Sequence, residues 1–198
     1  MTPGVLSYVC WLCVTILLCS GWKNVLLQQI GWKWIITIMG AWIVLNPITI
    51  SILPALFVNL AWFTCCFLSL SILVISRNTW SIFTNIGHIV FISTVVLWTQ
   101  LVQGIQMNNQ MGSSIWVVPL MCGMVMLSVS RPVSVQWAIV TSGLALGELL
   151  VQLRLHTVLQ LGSPAIQDSW WMALIAVRLG SVFVKWIETI RYTESKRT

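Results

Sequence analysis

Three charged residues interrupt otherwise apolar segments, and they are the side chains with most capacity for chemistry. Glu148 closes the run Gly143-Leu-Ala-Leu-Gly147, while Arg178 and Lys185 break the run from Trp170 to Trp186. A charge at the centre of a membrane span costs roughly 2.5–3.5 kcal/mol on insertion scales, so an embedded ionisable group usually faces a partner or a wet path. Glu148 therefore either pairs with a cation such as Arg178, or sits close enough to an interface to stay hydrated, as the nearby Arg154 allows. Arg178 and Lys185 are seven residues apart and share one helix face. That face lines a bundle interior or a wet groove, or belongs to a tilted or interfacial helix whose cations reach lipid phosphates.

Other reactive residue types lack the company that chemistry needs. Cys10-Trp11-Leu12-Cys13 has redox spacing, but no surrounding feature favours a thiolate. All six cysteines (Cys10, Cys13, Cys19, Cys65, Cys66, Cys122) lie in apolar runs without His or carboxylate at metal spacing, which points to packed or lipid-facing thiols. His88 and His156 have no Ser, Cys or acid beside them to build a triad, and the single Asp, Asp168, reads as a loop residue. No catalytic residue, metal or cofactor is expected.

The elements that must position these residues follow from composition. Of 198 residues, 58% are apolar and 7% charged, against roughly 25% charged in a soluble domain. Such a chain cannot cover itself with polar surface, so its solvent is the lipid bilayer. The net charge of +6 comes from basic residues scattered singly until the tail Arg191, Lys196, Arg197, a pattern that reads as membrane topology and predicts no direct nucleic-acid binding.

No Asp, Glu, Lys or Arg occurs from Trp34 to Ser76 or from Asn78 to Ser130. A helix needs about 20 residues to cross the hydrocarbon core, so each stretch accommodates two spans. The expectation is an all-α polytopic membrane protein forming a single transmembrane domain, with about five to seven helices and short loops. The approximate spans are 4–20, 34–53, 55–75, 86–105, 115–130, 133–151 and 170–190. Val5 to Ser20 lacks the positive flank of a signal peptide and reads as a retained first span. Asn46 and Pro47 form the turn after the second run, although that interruption also admits a re-entrant or interfacial element.

With Lys23, Lys33, Arg77, Arg131, Arg191, Lys196 and Arg197 on the cytoplasmic side, only Arg154 among the basic residues of loops and tail falls outside. The positive-inside rule then gives a lumenal N-terminus, a lumenal Asn46-Pro47 turn and a cytoplasmic C-terminus. Gly143 and Gly147 form a Gly-x-x-x-Gly step for close helix packing. Trp22, Trp32, Trp34, Trp80, Trp116, Trp170, Trp171 and Trp186 fall near span ends, whereas Trp42, Trp62 and Trp137 lie deeper and are expected between helices.

Two collinear blocks carry a family likeness. The first comprises Gly21-Trp22, Ile30-Gly31, Leu45-Asn46-Pro47-Ile48-Thr49 and Pro54-Ala55-Leu56-Phe57. The second comprises Gln136-Trp137-Ala138, Leu161-Gly162-Ser163-Pro164, the run from Trp170-Trp171 to Val177, and the basic end Lys196-Arg197. Together they resemble the multi-span 4B nonstructural protein of flaviviruses, with Asn-Pro-Ile-Thr the most specific piece; the 2A-type membrane protein of the same viruses is similar in composition and organisation.

The resemblance implies a non-enzymatic protein of the host endoplasmic reticulum membrane. It would remodel that membrane and scaffold the RNA replication complex, in contact with other viral nonstructural proteins and with itself as a homo-oligomer. The family's polar N-terminal region and long charged mid-chain loop are missing here, where Ser76-Arg77-Asn78-Thr79-Trp80-Ser81 stands instead, so the helicase-docking role of that loop is not carried over. The basic tail, which also resembles a dibasic protease site, would contact partners or anionic lipid. The alternative function is an ion-conducting or transport protein that uses Glu148, Arg178 and Lys185 along a wet path.

Overall fold

The computed structural model describes residues 4–23, 27, 31–75, 79–105, 114–127, 132–155 and 159–195. They form seven α-helices: α1 (Val5–Leu17), α2 (Trp32–Leu45), α3 (Leu60–Ile75), α4 (Thr79–Ile105), α5 (Ser114–Leu127), α6 (Val133–Leu155) and α7 (Pro164–Ser195). A π-type turn, Leu18–Trp22, extends α1 and kinks at Gly21, whose φ is +94°. Among the described residues, three stretches are long and apolar enough to cross a membrane, Val5–Trp22, Ile82–Val102 and Val133–Arg154; the apolar helical segments Trp32–Leu45, Leu60–Ile75 and Val117–Met126 are shorter.

The all-α expectation needs one correction. Where 34–53 reads as a single span, α2 ends at Leu45 and the chain turns into strands β1 (Thr49–Leu53) and β2 (Leu56–Asn59). The helix stops because Pro47 has no N–H to donate, and the following β-branched Thr49, Ile50 and Ile52 favour extended backbone. The two strands form an antiparallel hairpin, and β3 (Leu159–Leu161) adds parallel to β2, giving the order β1-β2-β3.

Contacts fix the relative directions of several packed helices. Tyr8 and Trp11 of α1 meet Asn46 and Met39 at the end and middle of α2, so these two run antiparallel. Ser69 of α3 reaches Ser142 of α6, and Thr141 and Gln136 of α6 bond Trp170 and Ser181 of α7, again antiparallel. The starts of α1, α3 and α7 therefore lie at the same end of the molecule as the sheet. Of the three candidate spans, the one in α6 is 61% buried within the protein, against 17% for that of α1 and 28% for that of α4. It is the central helix, with Ala138, Ile139, Val140 and Leu144 wholly inside the core.

The outer faces keep large apolar side chains in the open, among them Leu12, Ile16, Phe67, Val74, Phe83, Trp98 and Leu179. Exposed apolar surface on this scale matches a lipid surrounding. Trp22, Trp32, Trp34 and Trp186 are exposed, whereas Trp42 and Trp62 are buried and Trp137 is half-buried. Trp170 and Trp171, expected near a membrane interface, instead lie in the core, 3% and 5% exposed. They complete an edge-on aromatic chain that runs Tyr8, Trp42, Trp171, Trp170, Trp62, with successive centroids 5.1–6.0 Å apart. Edge-to-face contact at such spacing aligns the positive rim of one ring with the negative face of the next. The side chains of Trp80 and Trp116 lie outside the described residues.

Candidate functional site

A helix start leaves backbone N–H groups without intrahelical acceptors, and three starts meet at the sheet end of the bundle. Each is closed by a buried polar side chain. Asn59, the last residue of β2, accepts from the Trp62 N–H through Oδ1 at 3.1 Å and so caps α3. Its Nδ2 donates to the Asn46 carbonyl at 2.7 Å, which joins the hairpin base to the end of α2.

Glu148 projects from α6 to the start of α7. Its Oε2 accepts from the Gly162 N–H at 2.9 Å and its Oε1 from the Ser163 N–H at 3.1 Å. The carboxylate is buried, 5% exposed, and the positive end of the α7 dipole favours an anion there. Gly162 makes this approach possible: its φ is +78°, and a Cβ on it would stand 2.6 Å from the Trp62 Cβ and 2.8 Å from the Asn59 Cβ. The Gln167 Nε2 donates to the Gly162 carbonyl at 3.0 Å, closing the turn from its other side.

Asp168 plays the same part for α1 across the whole length of the chain. Its Oδ2 accepts from the Gly4 N–H at 2.8 Å and its Oδ1 from the Ser7 N–H at 2.6 Å. The reading of Asp168 as a loop residue is therefore corrected: it lies inside α7, 7% exposed, one turn after Pro164. Every oxygen of both buried carboxylates thus already accepts a backbone N–H. This is the chemistry of fixing loops in place.

The pairing of Glu148 with Arg178 is replaced by this arrangement. Arg178 stands fourteen residues into α7 from Pro164, about 21 Å along the helix axis, while Glu148 sits at that helix's start. Arg178 is half-buried. Lys185 and Arg191 are backbone members of α7 whose side chains lie outside the described residues, as do Lys196 and Arg197 entirely. Asn46 and Pro47 occupy the turn at the sheet end, where the Asn46 Nδ2 donates to the Tyr8 hydroxyl at 2.8 Å.

Gly143 and Gly147 face α4. A Cβ on Gly143 would fall 2.8 Å from the Ile92 Cβ, and one on Gly147 would fall 2.7 Å from the Val96 Cβ. The residues that sequence reasoning missed are Asn59, Gly162, Gln167 and Asp168. A signal for the turn was present in Gly162-Ser163-Pro164, where glycine permits positive φ and proline opens a helix. Nothing in sequence joins Asp168 to Gly4 and Ser7. Among the described residues no group of three His, Cys, Asp or Glu could hold a metal ion. Compared with family models, curated proteins and solved structures, the chain gives no match.

Proposed function

We propose that this chain is a non-enzymatic, multi-span protein of the endoplasmic reticulum membrane, of the flavivirus 4B nonstructural type. In this reading it remodels that membrane and scaffolds the RNA replication complex, through association with other viral nonstructural proteins and with further copies of itself. The observation that supports it most is where the two resembling blocks lie. Asn46-Pro47-Ile48-Thr49 and Leu161-Gly162-Ser163-Pro164 are far apart in sequence, yet both belong to the sheet end, joined by Asn59 and by the β2-β3 pairing. That end is a preformed platform, tied together by buried Asn59, Glu148 and Asp168 and presenting exposed Ile50, Ile52, Leu53 and Phe57, suited to holding partners at a membrane surface.

The same geometry supports the orientation proposed here. Gly4, the hairpin and the 159–168 segment gather at one end, the set assigned to the lumen by the distribution of basic residues. An open sheet edge cannot lie in hydrocarbon, so the hairpin sits at the headgroup layer or beyond it. Five to seven helices then cross the bilayer, with the C-terminus cytoplasmic. The conduction alternative is less well supported, because both oxygens of Glu148 are committed to backbone donors.

Expression of the chain alone, with imaging of the endoplasmic reticulum and crosslinking to the other replication proteins, tests the proposal. Rearranged membranes and recovered replication proteins are expected. Unaltered membranes together with no recovered partner overturn it.

A further inference from the structure

Among the described residues, strand β1 leaves one edge of the sheet unpaired, and all five of its side chains are exposed. The register with β2 pairs Thr49 with Asn59 and Ile50 with Val58, and the Leu60 N–H donates to the Ile48 carbonyl at 2.9 Å. In an antiparallel ladder, bonding residues alternate. Ile48 and Ile50 therefore direct their backbone groups at β2, and Thr49 and Ser51 direct theirs outward at the free edge.

The sequence along that edge is symmetric in residue class about Ile50: Ile48-Thr49-Ile50-Ser51-Ile52, isoleucines alternating with hydroxyl residues. We propose that β1 is the seam through which two copies of this chain associate, pairing antiparallel about Ile50 so that two three-stranded sheets become one of six strands. The proposal rests on the self-association in the functional reading and gives it a surface. Centred on Ile50, Thr49 lies opposite Ser51 of the second copy, and these are the residues whose N–H and C=O groups are free. Isoleucine meets isoleucine where Ile50 comes opposite itself, with Thr49 and Ser51 hydroxyls meeting beside it, and Ile48 comes opposite Ile52, the residue at which the pairing of β1 with β2 shifts register.

Neighbouring registers fit less well. Centring on Thr49 sets Ser51 against Pro47, which has no N–H, and centring on Ser51 sets Thr49 against Leu53. A two-fold axis through Ile50 is also the closed symmetry that stops at a dimer. It covers both free edges and the exposed Ile48, Ile50 and Ile52, which are 41%, 45% and 57% exposed in the single chain.

The test uses the full chain in membranes. At the centre of this seam the two Cα atoms of Ile50 form a non-hydrogen-bonded pair about 4.5 Å apart, within disulfide range. Ile50→Cys is expected to give a disulfide-linked dimer on mild oxidation, and co-expressed Ile48→Cys and Ile52→Cys a mixed one. Phe57→Cys, on the inner strand, and the wild-type chain with its native cysteines serve as the baseline. The double variants Thr49→Lys, Ser51→Lys and Thr49→Glu, Ser51→Glu should each lose the dimer alone and regain it when expressed together, which a folding defect would not allow. A dimer that survives in the lysine variant, with no crosslink at Ile50, overturns this seam while leaving self-association intact. A crosslink from Ile50 to a different protein overturns self-pairing as well. A wild-type chain that stays monomeric in the bilayer removes the self-association reading and the seam together.

Discussion

Glu148 illustrates how one side chain can serve two elements at once. It grows from α6, yet its two oxygens satisfy the first N–H groups ahead of α7, and its removal would leave one buried and one part-buried donor without acceptors. Leaving a buried donor unsatisfied costs roughly 1–3 kcal/mol, so Glu148→Ala should destabilise the chain by about 2–4 kcal/mol. Thermal unfolding in detergent or nanodiscs measures this against Ser71→Ala, an exposed hydroxyl that bonds its own helix and should change stability by about 0.5 kcal/mol or less. As for what was legible, the sequence marked Glu148 as unusual because charge is rare in an apolar run. It could not name the partner, since backbone N–H groups are present at nearly every residue and carry no mark. Asp168 was legible only as the single Asp, because the N–H groups it holds belong to Gly4 and Ser7, more than 160 positions away.

At the scale of elements, the helix contacts were easier to read than the strands. Gly143 and Gly147 stand one turn apart on α6, and Ile92 and Val96 stand one turn apart on α4, so the two helices run parallel with the glycines against the branched side chains. Gly147→Leu should force α4 and α6 apart and cost about 1–3 kcal/mol. Gly40→Leu, at a position where a Cβ meets nothing within 4 Å, should be tolerated; comparison of the two melting temperatures checks the direction. The hairpin was missed for a physical reason. A run of four to eight apolar residues looks alike as buried helix or as strand, and only Pro47, Pro54 and the β-branched residues between them separate the two. The span read over 55–75 accordingly begins as β2 and becomes helix only at Leu60.

For the whole molecule, sequence carried the mostly helical, multi-pass character that the candidate spans support, because it depends on composition summed over long segments. It placed Trp170 and Trp171 wrongly, because indoles near a helix end suit a headgroup layer equally well as a core, and only the packing of α7 against α6 decides. The orientation has a direct check. With a membrane-impermeant thiol reagent, Ile52→Cys should be labelled from the lumenal side and Ser195→Cys from the cytoplasmic side. Labelling of both from one side would refute the alternation.

The clasp of Asp168 on Gly4 and Ser7 also sets an order in time. Synthesis delivers α1 first, but the carboxylate that fixes its N-terminus is not made until more than 160 residues later. The body of α1 can dock on α2 as soon as that helix exists, through Trp11 on the Met39 carbonyl and Tyr8 against Asn46 and Trp42, but its first N–H groups wait for α7. Within this chain the start of α1 is thus among the last parts of the described bundle to be capped, and the cap comes from the helix made last.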